Sequence, residues 1–393
     1  MTRDLPDVHS AEPIPARAMD EVNRILQSGD LFRYNSANSP VTMLEQDFAA
    51  MMGSRYALAV SSCSAAIFLA LKALDLPPQA RVLIPAFTFA AVPSAVVHAE
   101  CVPVLCECGR NYRIDLEDFR AKLPDVSAVV ISHMRGHTSD MDAILAACAK
   151  MDIPVIEDAA HSLGTTWNGR NIGTLGAMGC FSFQSYKLLN AGEGGILISD
   201  DPELIARAII MSGAYEHNWK HHDIDPDVME RVQNKLPLYN MRLNTLSAVL
   251  IRAQLDEIPR RVRDGARNHD HLVEKLRTNP LFDLPAPYPA EARAPDSVQF
   301  NLPTLSDAQL DDFLSAAEMH GLRIQVFGRS RDNARAFWNW RFLDGFIELP
   351  KTRKMLMRAC DLRLPASLSI ADCDQIAGAL LASMNTAVPP QHA

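Results

Sequence analysis

The sequence lacks the long hydrophobic runs and the basic surplus that define several large classes of protein. No stretch reaches the roughly 18 uninterrupted apolar residues of a membrane helix. Its 38 basic and 47 acidic residues give a formal charge of −9, so it offers no basic field to nucleic acid or to an acidic membrane surface. Residues 1–15 are charged and Pro-rich rather than signal-like. We therefore expect a cytoplasmic protein with small-molecule partners, and neither nucleic acid nor membrane as a partner.

The sequence also lacks a recognisable metal or disulfide pattern. Its eight cysteines lie mostly among apolar neighbours, which is typical of buried thiols in a reducing compartment. Cys106 and Cys108, with Cys101 nearby, could be offered as zinc ligands, but their spacing matches none of the usual zinc patterns. We predict no disulfides and no metal.

What is present is an alternation of short apolar runs with helix-like segments between residues 56 and 199, typical of an α/β fold with a largely parallel sheet covered by helices. The predicted strands are 57–60, 81–84, 128–132, 154–157, 179–183 and 195–198, and the predicted helices are 65–73, 92–99, 116–123 and 141–150. Ligands gather at the carboxyl ends of such strands, so the loops that follow them are candidate site segments.

The C-terminal part differs in pattern. A helical stretch from 246 to about 275 resembles a connector, and four prolines between 280 and 289 then mark a loop. Strand-like segments 297–302 and 322–326 and helix-like segments 307–320 and 370–384 follow, which predicts a small α+β domain. We predict a large domain over 1–247, including an N-terminal arm, and a small domain over 248–393 that includes the connecting helix.

Lys187 is the first candidate catalytic residue, because it follows an apolar strand and precedes the glycine-rich segment 190–195. A desolvated lysine near other cations can lose its proton, and a neutral amine can form a Schiff base with an aldehyde cofactor. The glycines would let the backbone approach a bound group closely. The alternative for Lys187 alone is a solvated surface residue.

Other strand ends supply matching chemistry for a cofactor with a pyridine ring and a phosphate. Asp158 ends an apolar run and could keep a pyridine nitrogen protonated, or could be only a helix N-cap. The segment 61–64 precedes a helix, where hydroxyls and free N–H groups could hold a phosphate or merely cap the helix, and Ser182 could add a hydroxyl. Phe89 could stack on the ring or be an ordinary core aromatic.

These residues, with an ordered set of further motifs, resemble the DegT-like sugar aminotransferases of the type I pyridoxal phosphate (PLP) fold, along nearly the whole chain. The matching pieces are Leu44, Glu45, Phe48, Ala49 and Gly53; 61–64; 87–89; His133, Gly136, Asp140 and Met141; Glu157 and Asp158; Phe181, Ser182, Phe183 and Lys187; 192–195; and 239–242. The resemblance implies a large domain with a mostly parallel seven-stranded sheet and a smaller C-terminal α+β domain.

The resemblance also implies roles for single residues. Lys187 would carry PLP as a Schiff base and move a proton between substrate and cofactor carbons. The implied cofactor-binding residues are Asp158 at the pyridine nitrogen, Phe89 on the ring, Cys63, Ser64 and Ser182 at the phosphate, His161 at the ring hydroxyl, and Asn240 reaching the neighbouring subunit's phosphate. A homodimer with shared active sites follows from the last of these roles.

Two positions depart from the commonest family pattern. Cys63 stands where glycine is usual, and its side chain could crowd the phosphate loop, while His161 stands where glutamine is more common. His161 could still donate a hydrogen bond to the ring oxygen, or could be a packed helix-cap histidine. A histidine replaces the lysine in the family's sugar 3-dehydratases, so Lys187 favours transamination.

The resemblance predicts that glutamate or a similar donor aminates the carbonyl of a sugar or sugar-like acceptor. The segments 32–35, 184–187 and 333–340 are similar to the branch that makes 8-amino-3,8-dideoxy-octulosonate. Candidate substrate-binding residues are Arg33, Tyr34, Arg242 and Arg335, whose guanidinium groups would suit a carboxylate or hydroxyl-rich substrate or could be surface charges. His217, His221 and His222 could line a substrate entrance or lie in a solvated loop.

Two other functions stay open at this point. The same lysine and aspartate could support a PLP-dependent elimination or decarboxylation. The chain could also bind PLP or an amino sugar as a regulatory protein without turnover. Dependence on an amino donor separates the three hypotheses, because only a transaminase consumes glutamate and yields 2-oxoglutarate.

Overall fold

A computed structural model describes residues 5–36, 38–345 and 347–389. The first four residues of the N-terminal segment and the last four of the Pro-containing tail lie outside the described part. Within that part, no helix combines the length and the apolar character needed to cross a bilayer.

The helices begin at residues that satisfy their free N–H groups. Ser62, for example, accepts a hydrogen bond from the N–H of Ala65 and so starts α3, while Ser306 forms a capping box with Gln309 at the start of α11. The α-helices are α1 (Arg17–Ser28), α2 (Pro40–Met52), α3 (Cys63–Ala73), α4 (Ala91–His98), α5 (Leu116–Lys122), α6 (Met141–Ala149), α7 (Pro202–Met211), α8 (Pro226–Val232), α9 (Thr245–Arg252), α10 (Ile258–Leu276), α11 (Asp307–Met319), α12 (Pro350–Leu356) and α13 (Ile370–Ala387).

The strands form one large sheet and two small ones. They are β1 (Tyr56–Val60), β2 (Arg81–Pro85), β3 (Val102–Cys106), β4 (Ala128–Ser132), β5 (Val155–Asp158), β6 (Thr166–Trp167), β7 (Arg170–Asn171), β8 (Met178–Ser182), β9 (Gly195–Ser199), β10 (Glu291–Ala292), β11 (Ser297–Asn301), β12 (Gln325–Val326) and β13 (Ala359–Arg363). The small sheets have the orders β10-β6-β7 and β11-β13-β12.

The large sheet has seven strands in the order β1-β9-β8-β5-β4-β2-β3. Its neighbours pair in parallel except for β9, which pairs antiparallel with both β1 and β8. The short connection from β8 to β9 contains no helix, as an antiparallel return allows. The predicted α/β class and mostly parallel sheet are confirmed.

The predicted elements differ from the observed ones at particular places. All six predicted strands of the large sheet are present within two residues, but β3 was not predicted as a strand. In the C-terminal part only Gln325–Val326 of the predicted strand 322–326 pairs, and the unpredicted β13 lies at the centre of that sheet. The predicted single helix over 246–275 is two helices, because the chain turns at Leu255–Glu257 between α9 and α10.

Two hydrophobic clusters form the interior. The larger surrounds the seven-stranded sheet, and the smaller lies among α10, α11, α13 and the strands β11 and β13. Phe327, Phe337 and Trp340 belong to the larger cluster although they come from the C-terminal part of the chain. The division at residues 247 and 248 stays a prediction.

Candidate active site

A cavity of about 710 Å³ opens at the carboxyl ends of the parallel strands. Asp158 ends β5 and Ser182 ends β8, and both line this cavity. Cys63 and Ser64 at the start of α3, Phe89, His161, Lys187 and Arg335 line it as well. The fold therefore brings eight of the predicted site residues to one place.

Lys187 lies in the segment between β8 and β9, where a turn joins its N–H to the carbonyl of Gln184. Its Nζ lies 2.8 Å from Nε2 of His161. Burial lowers the pKa of Lys187 to about 8, although the nearby Asp296 carboxylate opposes that shift. A sizeable fraction of this amine is therefore neutral near pH 7 to 8 and able to act as a nucleophile.

His161 is held in its neutral form. Burial, and then the charge of Lys187, lower the pKa of the imidazole well below its usual value. Its Nδ1 lies 3.8 Å from Asp296, which precedes β11. Burial alone would raise the pKa of Asp296, but contact with His161 and the charges of Arg135 and Lys187 lower it overall. A partly buried carboxylate thus lies behind the imidazole that contacts Lys187.

Asp158 and its neighbour Glu157 point to opposite faces of β5, because successive strand residues alternate. Asp158 accepts hydrogen bonds from Ser132 Oγ at 2.8 Å and from the N–H of Ala160 at 3.1 Å, and it lines the cavity. Glu157 is fully buried instead, contacts His133 at 3.1 Å, and accepts hydrogen bonds from three N–H groups of the segment 173–176. Only Asp158 is available for chemistry.

The start of α3 lies at the edge of the cavity. Ser62 uses its hydroxyl to cap the N–H of Ala65, so the side chain is a helix cap, while Cys63 and Ser64 of the first turn line the cavity. Gly195 lies against this turn, and a Cβ there would overlap the backbone of Ser62 and Cys63. The glycine therefore allows β9 to lie close to α3. It does not serve the approach of the backbone to a bound group.

The Cys63 side chain points toward Asp158. Its Sγ lies 3.8 Å from Asp158 Oδ1. Burial and the adjacent Asp158 carboxylate raise the pKa of this thiol well above its usual value, so it stays protonated and donates to the carboxylate. The Cys63 side chain, which was expected to crowd the phosphate loop, thus points to the Asp158 carboxylate.

The opposite wall carries arginines. The Arg335 guanidinium lies 5.6 Å from the centre of the Phe89 ring, and Arg363, the last residue of β13, lies 4.9 Å from the Tyr186 ring. Arg135, in the turn after β4, donates to Asp361 at 2.5 Å. Each of these three arginines lines the cavity.

Arg33 and Tyr34, predicted to bind substrate, lie in the protein interior. Arg33 is 1% exposed and donates to Ser212 Oγ, and Tyr34 donates to Glu45 and lies 2.8 Å from His222 Nε2. A guanidinium packed this way cannot reach a ligand in the cavity, so the substrate-binding expectation for this pair is corrected. His222 belongs to the same interior contacts, not to an entrance.

Arg242 and Asn240 lie outside the cavity of their own chain. Arg242 is half-buried, donates to the carbonyl of Gly213 and lies over the rings of Phe32 and Tyr215. Asn240 is exposed and has a φ of 53°. A role for either residue at a cavity requires a second subunit.

Sequence reasoning missed Arg135, Asp296 and Arg363. Arg135 lies in the segment 133–137 after a predicted strand, a position that could have indicated it. Asp296 and Arg363 come from the C-terminal part, and no local pattern marks them. The described part of the chain brings no three His, Cys, Asp or Glu side chains together as a metal centre needs.

Comparison with known proteins places this site in a family. Residues 13–381 match the DegT/DnrJ/EryC1/StrS aminotransferase family. The chain is 34% identical over 274 residues to the spore coat polysaccharide biosynthesis protein SpsC of Bacillus subtilis, covering 69% of this chain and 68% of SpsC. It is 30% identical over 323 residues to 3-amino-5-hydroxybenzoate synthase of Amycolatopsis mediterranei, covering 80% of each.

Solved structures have the same fold. The crystal structure of a 3-amino-5-hydroxybenzoic acid synthase superposes with a TM-score of 0.83 at 24% identity, covering 97% of this chain and 99% of that one. This likeness confirms the fold that the sequence resemblance implied.

Proposed function

The chain belongs to the DegT/DnrJ/EryC1/StrS aminotransferase family, and we propose that its cavity transfers an amino group from glutamate or a similar donor to a carbonyl of a sugar-like acceptor. The observation that carries the proposal is Lys187, a partly buried amine with a pKa lowered to about 8. It shares one cavity with Asp158 and the open start of α3.

The residues present fit pyridoxal phosphate. When bound, this cofactor supplies an aldehyde for a lysine amine and an electron-accepting pyridine ring. Lys187 would hold the aldehyde carbon and Asp158 the ring nitrogen. The N–H groups of Cys63 and Ser64, with Ser182, would hold the phosphate at a helix start. Phe89 lines the cavity and is 45% exposed, so its ring would stack on the cofactor ring.

The chain's own groups also handle the proton. Lys187 Nζ, partly neutral near neutral pH, would accept a proton from the substrate carbon and return it. Neutral His161 would orient that amine from 2.8 Å beside the cofactor's ring oxygen. Asp296 would act as a positioning residue, because its carboxylate lies behind His161.

The assembly, the location and the substrate branch are further proposals. We propose a homodimer in which Asn240 reaches the partner's cavity, supported by its exposure outside its own cavity. A cytoplasmic location is supported by eight buried thiols. The octulosonate branch rests on the three sequence segments alone, and the acceptor's identity stays open within the sugar-like class.

The decisive experiment is the absorbance spectrum of purified protein reconstituted with PLP, before and after glutamate, for the wild type, Lys187→Ala and the surface control Lys354→Ala. We expect a visible band that glutamate bleaches, with formation of 2-oxoglutarate, in the wild type and the control but not in Lys187→Ala. A band indifferent to amino donors would point to a lyase. Failure to form any band would overturn the proposal and leave a binding protein.

A further inference from the structure

Two buried hydroxyl groups connect the edge of the large sheet to Asp158. Thr88, in the segment after β2, has its Oγ1 at 2.7 Å from Ser132 Oγ, and Ser132 Oγ lies 2.8 Å from Asp158 Oδ2. Thr88 and Ser132 are both buried, and neither lines the cavity. The roles proposed above use neither hydroxyl.

The three side chains belong to neighbouring strands. The strands β5, β4 and β2 are consecutive in the sheet, and Ser132 and Asp158, the last residues of β4 and β5, pair with each other in register. Side chains at paired positions of neighbouring strands lie on the same side of a sheet. The sheet itself therefore holds the Ser132 hydroxyl beside the Asp158 carboxylate.

The hydrogen bonds of this row run in one direction. An ionised carboxylate has no proton to donate, so Ser132 donates its only hydroxyl proton to Asp158. Ser132 Oγ can then only accept from Thr88, and the Thr88 hydroxyl is the donor. Successive hydrogen bonds polarise one another, so Thr88 strengthens the bond that Ser132 makes to Asp158.

The donors around Asp158 leave one acceptor position open on its carboxylate. An ionised carboxylate offers about four lone-pair positions on its two oxygens. Oδ1 accepts from the N–H of Ala160 at 3.1 Å and from the Cys63 thiol at 3.8 Å, while Oδ2 accepts from Ser132. Among the described residues Oδ2 has no second donor, and Asp158 lines the cavity. The open position is thus on the oxygen that Ser132 holds.

We propose that Ser132, supported by Thr88, is a positioning residue that directs the open lone pair of Asp158 Oδ2 to the ring nitrogen of the cofactor. The inference rests on the proposed function, in which Asp158 holds that nitrogen. The hydrogen bond from Ser132 fixes the plane of the carboxylate, and catalytic groups supported in this way by a sheet keep a precise geometry. Thr88 acts through Ser132 and has the smaller effect.

The Ser132 hydroxyl has two effects of opposite sign on the ring nitrogen. It orients the carboxylate, which strengthens the pairing of Oδ2 with a protonated nitrogen, and it draws charge from Oδ2, which weakens that pairing. Orientation is the larger effect, because hydrogen bonds weaken steeply when they are misaligned. The carboxylate, by contrast, keeps its full negative charge while it accepts from Ser132.

The test reads the ring nitrogen directly. Wild type, Ser132→Ala, Thr88→Val and Thr88→Ser are reconstituted with PLP that carries ¹⁵N in its ring, and the ¹⁵N chemical shift is measured at one fixed pH. The rate at which glutamate bleaches the visible band in a single turnover is measured for the same proteins, for Asp158→Asn, and for Ser132→Ala combined with Asp158→Asn. The control is Ser383→Ala, which removes a buried, hydrogen-bonded hydroxyl from α13.

We expect Ser132→Ala to keep the visible band, while its ring-nitrogen resonance moves from the protonated toward the unprotonated position. Bleaching should be roughly tenfold slower, because a misplacement of about 1 Å can cost about a hundredfold and Oδ1 stays held. Thr88→Val should change both readouts in the same direction by less, and Thr88→Ser and Ser383→Ala should match the wild type. In the Asp158→Asn background Ser132→Ala should add less than about twofold, since Ser132 acts through the carboxylate.

An unchanged ring-nitrogen resonance in Ser132→Ala would overturn the proposal. A shift of that resonance in the opposite direction would overturn it too, because charge withdrawal would then outweigh orientation. So would a slowing of bleaching that is equally large in the Asp158→Asn background, since Ser132 would then act on the sheet and not on the carboxylate. The resonance needs no turnover, so a wild type that binds PLP but is not bleached by glutamate would defeat the proposed function without deciding the role of Ser132, which the resonance still decides.

Discussion

Two clusters of buried ionisable side chains in this protein contain similar residues but differ in what surrounds them. The cavity cluster contains Lys187, His161, Asp158 and Asp296, and three of these four residues line the large cavity. The interior cluster contains Arg33, Tyr34, Glu45 and His222, and none of these four lines it. The sequence offered candidates in both clusters: Lys187, His161 and Asp158 in the first, and Arg33 and Tyr34 in the second.

The two clusters differ in the hydrogen-bond partners of their polar groups. In the interior cluster Glu45 accepts hydrogen bonds from Tyr34 and from the N–H of Ala59, so its contacts tie α2 to β1. In the cavity cluster the Lys187 amine has the titratable side chain of His161 as its hydrogen-bond partner among the described residues, and its pKa is lowered to about 8. In this protein a buried charged side chain therefore indicates function only where it lies beside the cavity.

The largest expected effect is a loss of activity in a variant of the cavity cluster. Asp158→Asn should lower transamination by on the order of 10²–10³-fold, because an amide cannot stabilise a protonated ring nitrogen as a carboxylate does. Its free energy of unfolding should change by only about 1 kcal/mol, since an amide oxygen can still accept from Ser132. Steady-state kinetics and urea unfolding check both outcomes, with the exposed Asp374→Asn as control. Activity near that of the wild type in Asp158→Asn would show that the cavity cluster does not carry the chemistry.

For the interior cluster we expect the reverse pattern, in which stability is lost and activity is kept. Glu45→Ala should lower the free energy of unfolding by about 3 kcal/mol, because it leaves Tyr34 Oη and the N–H of Ala59 without their acceptor. The activity of the folded enzyme should stay within about twofold of wild type. Urea unfolding compared with the exposed Glu230→Ala variant checks this, and a large loss of activity at full stability would contradict the structural role.

The smallest expected effect is a pH dependence of the free energy of unfolding, which comes from two residues of the interior cluster. Burial raises the pKa of Glu45 to about 7, so its contribution to stability is present below its ordinary pKa of 4.5 and is lost as the pH rises through 7. Burial lowers the pKa of His222 to about 3, so its contribution is present above 6.5 and is lost as the pH falls through 3. Between pH 4.5 and 6.5 these two contributions oppose each other.

Removing His222 should therefore expose the slope of Glu45. In His222→Gln the free energy of unfolding, relative to wild type, should decrease as the pH rises from 5 to 6, by up to about 1.4 kcal/mol per pH unit. Urea unfolding at half-unit pH steps measures it, and His320→Gln on the surface is the control. A relative slope of zero or of the opposite sign would show that His222 does not titrate as its burial indicates.

Much of the large domain could be predicted because its signals are local. Apolar runs such as 128–132 become buried strands, and the carboxyl-end rule brought Asp158, Ser182 and Lys187 to one edge of the sheet. The antiparallel direction of β9 could not be predicted, because an apolar run has the same composition in either direction. The break between α9 and α10 was missed, because helical spacing continues on both sides of it.

The sequence by itself determined the α/β class, the lysine, the aspartate and the helix start that make the candidate site, because each depends on residue type and on position after a strand. Only the tertiary structure decided that Arg33 and Tyr34 lie in the interior, that Cys63 donates to Asp158, that Asp296 lies behind His161, and that Arg363 lines the cavity. These facts depend on which distant segments meet. Asp296 and Arg363 lie more than 100 residues along the chain from Lys187, a separation at which no local pattern reports contact and only packing of the two sheets brings the side chains together.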